Sequence, residues 1–270
     1  MTLQPNPGTA LITGASSGIG AVYADRLARR GYDLILVARN QQRLRTLAGR
    51  LSDETGRAIE VVAADLNDKA DLARVENVLR TDSSITLLLN NAGVGAAGPL
   101  LDTDVRKMEQ LIGLNVSALT RLTYAAVPGF VARGAGTLIN IASIVAIAPE
   151  MLNGVYGGSK AFVLAFSQSL HHELAAKGVR VQAVLPGATA TEFWDVAGMP
   201  LTNLPEQIVM TTADLVDAAL AGLDQGELVT IPPLQEAAEW DAYEAARRVM
   251  MPKLSLTRPA PRYRLKTAAV

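Results

Sequence analysis

The chain has 270 residues, 49% of them apolar, a formal net charge of −1 and no cysteine. That length suits one large α/β domain, and the charge gives no pull toward nucleic acid or an anionic surface. The absence of cysteine excludes disulfides and thiol nucleophiles and fits a reducing compartment. The opening MTLQPNPGT lacks the basic-then-apolar pattern of a secretory signal. The longest apolar run, around Leu138 to Ala148, is too short for a bilayer and is interrupted by Asn140 and Ser143. A cytoplasmic protein without nucleic-acid or membrane partners is expected.

Strand-like runs alternate with helix-like ones along the chain. Thr9–Thr13 reads as a buried strand and Gly18–Arg30 as a helix with Ile19, Val22, Tyr23 and Leu27 on one face. Asp33–Val37 is a second strand, Gln41–Thr55 a polar helix, Ile59–Ala63 a third strand and Lys69–Arg80 a helix. Thr86–Leu89 is a fourth strand. Asp104–Gly129 reads as one long helix that Pro128 helps to end. Thr137–Ala142, the helix Tyr156–Lys177 and the strand Arg180–Leu185 complete the pattern. Continuously apolar strands separated by helices predict a doubly wound parallel sheet with helices on both faces, a Rossmann fold, in one domain over residues 1–252. Residues 190–212 form a long apolar connection of the kind that serves as a substrate loop, and residues 253–270 a basic, partly disordered tail.

The run Thr13-Gly14-Ala15-Ser16-Ser17-Gly18-Ile19-Gly20 follows a strand and opens a helix. Glycines there let the backbone approach a pyrophosphate, and the helix N-terminus supplies free N–H groups and partial positive charge. At the end of the second strand stand Ala38 and Arg39, where an NAD enzyme usually carries an acid. An arginine suits a 2′-phosphate, so NADP(H) is the expected cofactor, with Arg43 an alternative clamp. Asp65 and Leu66 after the third strand, and Asn91, Ala92 and Gly93 after the fourth, are further candidates for cofactor contact.

Tyr156 and Lys160 lie four apart in VYGGSKAF, on one face of the expected helix, with Ser143 thirteen residues upstream of the tyrosine. A phenol beside a fixed ammonium is expected to titrate below its ordinary value of about 10 and so to exchange a proton with a carbonyl or alcohol oxygen. With these motifs in view, residues 8–232 resemble the short-chain dehydrogenase/reductase family: TGASSGIG, NNAG, the Ser143 segment, YGGSK and Pro186-Gly187 stand in family order. The resemblance implies a tetrad of Asn115, Ser143, Tyr156 and Lys160. In it Tyr156 is the proton donor, Lys160 holds the nicotinamide ribose, Ser143 binds the substrate oxygen and Asn115 supports a water-linked relay. It also places Pro186, Gly187, Thr189 and Thr191 beside the nicotinamide carboxamide, and it implies a homodimer or homotetramer.

Gly157 and Gly158 depart from the family pattern, each weakening a helix interior by about 1 kcal/mol relative to alanine. They suit either close packing against a partner helix or a looser catalytic turn. His171 and His172 face different ways, and no cluster has metal-ligand spacing, so no metal is expected. Leu234–Met250 reads as an amphipathic helix. The expected function is NADP(H)-dependent reduction of a carbonyl, or oxidation of the alcohol, in an apolar pocket. Phe193, Trp194, Val196, Met199, Leu201 and Leu204 would line one wall of it, and Val145, Ile147, Met151 and Leu152 the other. Alternatives are a catalytically silent NADP(H)-binding sensor or scaffold, and another reaction type such as enoyl reduction.

Overall fold

In a computed structural model, residues 7–263 are described. The chain divides into two compact units, one up to Pro233 and one from Leu234. In the first, the elements run β1 (Thr9–Thr13), α1 (Gly18–Arg29), β2 (Asp33–Ala38), α2 (Gln41–Thr55), β3 (Ile59–Ala63), α3 (Lys69–Thr81) and β4 (Ile85–Asn90). There follow α4 (Val105–Ile112), α5 (Leu119–Arg133), β5 (Gly136–Ile141), α6 (Gly154–Leu174), β6 (Val179–Val184), α7 (Phe193–Ala197), α8 (Thr212–Asp224) and β7 (Val229–Thr230). The second unit holds α9 (Ala237–Met250), on which Trp240 and Tyr243 stack with centroids 5.2 Å apart. Of the basic tail residues, Arg264 and Lys266 lie outside the described residues.

All seven strands are parallel, in the order β3-β2-β1-β4-β5-β6-β7. This is the expected doubly wound sheet. Successive strand residues serve opposite faces. Ala10, Ile12, Leu34, Leu36, Leu87 and Leu89 enter one core, and Leu11, Ile35, Val37, Ile85 and Leu88 the other. Both faces are covered, which is why the strands read as unbroken apolar runs. The order reverses between β1 and β4, so a crevice opens at their C-terminal ends.

The long helix expected over Asp104–Gly129 is not one helix. α4 ends at Ile112, a π-helical segment spans Gly113–Ala118, and α5 continues to Arg133. Pro128 lies inside α5 and does not end it. Proline loses its own N–H bond and crowds the carbonyl four residues back, yet the helix continues and stops at Gly134, in the left-handed region at φ 65°. The seventh strand escaped the sequence reading because it is two residues long; Gln182 Nε2 fixes it by donating to Thr230 Oγ1 at 2.8 Å.

Gly157 and Gly158 both lie within α6, and their environments differ. A side-chain carbon at Gly157 would meet Pro149 at 3.1 Å, whereas at Gly158 it would meet nothing within 4 Å. Gly157 thus packs on its own chain, and Gly158 faces open space. Gly178, at φ 77°, would place that carbon 1.9 Å from the Gly134 carbonyl oxygen. Gly158→Ala is therefore expected to raise stability by up to about 1 kcal/mol, and Gly178→Ala to lower it by about 2 kcal/mol or more. Urea midpoints of the two variants, read against wild type, test both signs.

Candidate functional site

The glycine-rich turn joins β1 to α1 in a shape that only glycine permits. Gly14 and Gly18 have φ of 66° and 53°. A side-chain carbon on Gly20 would stand 2.3 Å from the Gly14 carbonyl oxygen and 2.5 Å from Asn91 Nδ2. Asn91 fastens the turn to β4, its Nδ2 donating to the carbonyls of Thr13 (2.9 Å) and Gly14 (3.1 Å). Thr13 Oγ1 in return accepts from the backbone N–H groups of Asn91 and Ala92, both at 3.0 Å. Ser17 caps α1 without a side-chain hydrogen bond, and the first turn holds no acid. A backbone cradle that a methyl group would fill, opening on a helix N-terminus without a side-chain cap, fits a dinucleotide pyrophosphate.

Arg39 is exposed at the end of β2. Arg43 is engaged elsewhere, pairing with Glu192 at 2.6 Å and so joining α2 to the segment after β6. Asp65 accepts from the Asn67 N–H at 3.0 Å, and Leu66 is buried in the core. Ile19 packs against the other core face. Thr191 touches the glycine turn, its methyl lying 3.1 Å from where a Gly18 side-chain carbon would be. Thr189 donates from Oγ1 to the Gly187 carbonyl at 3.1 Å, and Pro186 accepts from the Ile144 N–H at 3.0 Å, which places the Pro186-Gly187 turn beside Ser143.

The four tetrad candidates come together where β4, β5 and α6 meet. Lys160 is buried and donates from Nζ to the Ile141 carbonyl at 2.9 Å. A side-chain carbon on Gly93 would lie 3.6 Å from that Nζ and 3.1 Å from Asn115 Oδ1, so the NNAG turn, the π segment and α6 converge. Asn115 projects from that π segment, a distortion that recurs at functional sites. Its carboxamide accepts from the Val94 N–H (3.0 Å) and donates to the Val94 carbonyl (2.9 Å) and to Ser159 Oγ (3.2 Å). Ser159 Oγ in turn donates to the Tyr156 backbone carbonyl at 2.7 Å. Ser143, 8% exposed, follows β5; its Oγ accepts from the Val145 N–H at 3.3 Å, and its hydroxyl acts on the Tyr156 phenol.

The titration expected of Tyr156 is reversed. Burial pushes its phenol up to about 12, and the Ser143 hydrogen bond only partly opposes this. Lys160 does not lower it here: Nζ stands 5.8 Å from the centroid of the phenol ring. Burial instead pushes the lysine down to about 8. Desolvation acts on both groups and outweighs their mutual effect.

Two residues outside the expected set shape the site. Asn153 caps α6, accepting from the Val155 N–H at 2.9 Å, and donates to the Gly98 carbonyl at 2.7 Å, tying the helix of Tyr156 to the loop after β4. Ser159 is the second. An asparagine opening a helix just before Val155 was a readable capping signal, whereas nothing in the sequence marks Ser159 as a partner of Asn115. Of the expected pocket residues, Phe193, Val145 and Leu152 gather at Tyr156. Trp194 is buried, donating from Nε1 to the Thr189 carbonyl at 2.9 Å. Val196 and Met151 instead face solvent, 68% and 60% exposed.

The sheet order, the glycine cradle at its switch point and the polar cluster beside it define a dinucleotide-binding α/β protein. The family model described as short chain dehydrogenase matches residues 8–198, and the chain belongs to that family of oxidoreductases, which bind a nicotinamide cofactor. A short-chain dehydrogenase from Sphingobium yanoikuyae, solved in complex with NADPH, is 54% identical, with a TM-score of 0.92 over 95% of this chain and 100% of that one. The bulky-bulky ketone specific alcohol dehydrogenase from Comamonas testosteroni is 47% identical, with a TM-score of 0.88 over 96% of this chain and 99% of that one. A very-long-chain 3-oxoacyl-CoA reductase from Anas platyrhynchos is 33% identical over 68% of this chain, which spans 60% of that relative's length. No helix among the described residues is long and apolar enough to cross a membrane.

Because the folded state depresses the Lys160 amine from 10.5 to about 8, the unfolded chain holds more protons between those values. Stability from this group therefore rises with pH across that window, and the cost of the buried ammonium is present in full below it. Lys160→Met removes that cost, so the stability of wild type relative to the variant should climb between pH 8 and 10.5. Denaturant titrations of both proteins at pH 7 and at pH 10 measure the change in their difference.

Proposed function

We propose that this chain is an NADP(H)-dependent oxidoreductase that reduces a ketone or aldehyde of medium size and apolar character, or oxidises the corresponding alcohol. The observation that carries this reading is the meeting of Lys160 with Asn115 beside Gly93, and of the same lysine and Ser143 with Tyr156. Gly14, Ser16, Ser17, Gly18, Ile19 and Gly20 would hold the pyrophosphate end, with Asp65, Leu66, Asn91 and Ala92 near the adenosine. Gly93, Pro186, Gly187, Thr189 and Thr191 would border the nicotinamide. The bound dinucleotide supplies the hydride.

The protein's own residues handle the proton and the geometry. Ser143 and Tyr156 point hydroxyl donors at the oxygen on which charge grows, an arrangement that stabilises that charge in a dry site. Tyr156, protonated across the neutral range at a pKa of about 12, is set to give its proton to that oxygen. Lys160 is the positive charge nearest the phenol and favours its ionised form once the proton has left. Asn115 holds the Val94 backbone and, through Ser159, the turn of α6 that carries Tyr156.

Arg39 supports NADP(H) over NAD(H), since a guanidinium rather than an acid stands at the end of β2. The NADPH complex of the 54% identical relative favours the same choice. The apolar residues around Tyr156, with the ketone specificity in the name of the 47% identical relative, support the carbonyl class. A homodimer or homotetramer is part of the reading. Tyr124 and Phe162, 70% and 37% exposed on α5 and α6, support it, and light scattering on the eluted protein would give a single larger mass.

NADPH oxidation with a panel of ketones and aldehydes tests the activity. Tyr156→Phe should lose about 1,000-fold or more in kcat. Arg39→Ala should weaken NADPH binding by about tenfold and leave NADH binding nearly unchanged. Carbonyl reduction should be nearly flat below about pH 7 and fall as Lys160 loses its charge near pH 8, while alcohol oxidation, which needs the phenolate, rises with pH up to that point. Turnover that is equal or better with NADH would overturn the role given to Arg39.

A further inference from the structure

Gly95 and Phe193 fit as notch and plug. A side-chain carbon on Gly95 would stand 2.1 Å from Phe193 Cζ and 2.6 and 2.9 Å from its two Cε atoms. The ring therefore occupies volume that any other residue at position 95 would claim. The same ring lies 5.7 Å from that of Tyr156, tilted by 47°, against the apolar cluster of Ala96, Leu111, Val145 and Tyr156. Tyr156 is left 5% exposed. The Phe193 ring therefore narrows the approach to that phenol, and a bulky substrate reaches it only if something moves.

The surroundings leave the Phe193 ring as the part most free to do so. Its neighbours on α7 are pinned: Trp194 Nε1 donates to the Thr189 carbonyl at 2.9 Å, and the Ala97 N–H to the Ala197 carbonyl at 3.1 Å. Below the helix, backbone bonds between Ala190 and Met210 and between Met210 and Ala188, both 2.9 Å, hold the base of the segment. Phe193 itself is held by a long 3.4 Å bond from its N–H to Thr191 Oγ1 and by apolar contact. Rotation about its side-chain torsions breaks no hydrogen bond, whereas displacing α7 breaks several.

We propose that Phe193, seated in the Gly95 notch, is the residue that decides which carbonyl compounds reach Tyr156. With the ring in the notch, the site takes a carbonyl bearing one slim substituent. With the ring turned out, it takes one flanked by two bulky apolar groups, which Val145 and Leu152 would contact. This rests on the carbonyl reading above and adds to it the residue that sets substrate size.

The test compares kcat/KM for a diaryl ketone with that for the aryl methyl ketone, using NADPH. Phe193→Ala should raise the diaryl-to-methyl ratio by about tenfold or more. Gly95→Ala should move it the same way, because the new methyl evicts the ring. Gly95 lies outside the positive-φ glycines, so the methyl adds no left-handed strain. Adding Gly95→Ala to Phe193→Ala should then change the ratio no further, since both act on one ring. Should Phe193→Ala fail to fold, Phe193→Leu keeps the apolar contact and should give a smaller rise. An unmoved ratio in an enzyme whose wild type turns over ketones would overturn the inference alone. So would a Gly95→Ala effect that persists in full without Phe193. A wild type inert toward every carbonyl with either dinucleotide would overturn the carbonyl reading and this inference with it.

Discussion

An ammonium buried with no acid to offset the cost is the constraint around which the site is arranged. Burial alone accounts for the lowering of Lys160 to about 8. The hydrogen bond it donates goes to the carbonyl of Ile141, the last residue of β5. That bond sets the register of α6 against the sheet. Tyr156, one turn before the lysine, and Ser143, two residues beyond Ile141, then fall opposite each other. Burial of this kind raises the energy of both charged forms, so the pair waits as a neutral phenol beside a weakened amine.

Polar contacts deeper in the sheet hold the same register. Asn90 on β4 donates to Asn140 Oδ1 on β5 at 3.0 Å, and Asn140 donates to Ser167 Oγ on α6 at 2.9 Å. All three are buried, where an unpaired amide is costly, so the ladder discriminates against any slip of α6 along β5. Above it, the Asn115 carboxamide binds both polar groups of the Val94 backbone. The loop after β4 is thereby joined to the π segment and to α6 at one point. A parallel sheet makes this economical, because every strand delivers its C-terminal loop to the same edge.

The segment after β6 completes the enclosure. Thr191 rests on the glycine turn, Glu192 pairs with Arg43 and Phe193 covers Tyr156. Three consecutive residues therefore touch the glycine turn, the start of α2 and the Tyr156 ring. An exposed ion pair such as Arg43–Glu192 contributes little to stability. Its interest lies in place: it engages an arginine of the helix that follows β2.

The sequence by itself determined the layered fold, because strands covered on both faces must be apolar throughout and the glycines of TGASSGIG mark a tight turn from strand to helix. Through the family resemblance it also pointed to Asn115, Ser143, Tyr156 and Lys160. Tertiary structure decided what spacing cannot express. Pro128 continues α5, since a lost N–H bond and a crowded carbonyl are a smaller penalty than ending a helix that packs along the sheet. Asn115 sits on a π segment that periodicity alone does not distinguish from α-helix. Tyr156 titrates high rather than low, because the balance of desolvation against a neighbouring charge depends on burial and on 5.8 Å of separation, neither of which is written in the interval of four residues. The meeting of Gly95 with Phe193, ninety-eight positions apart, likewise exists only once β4 and β6 lie in one sheet.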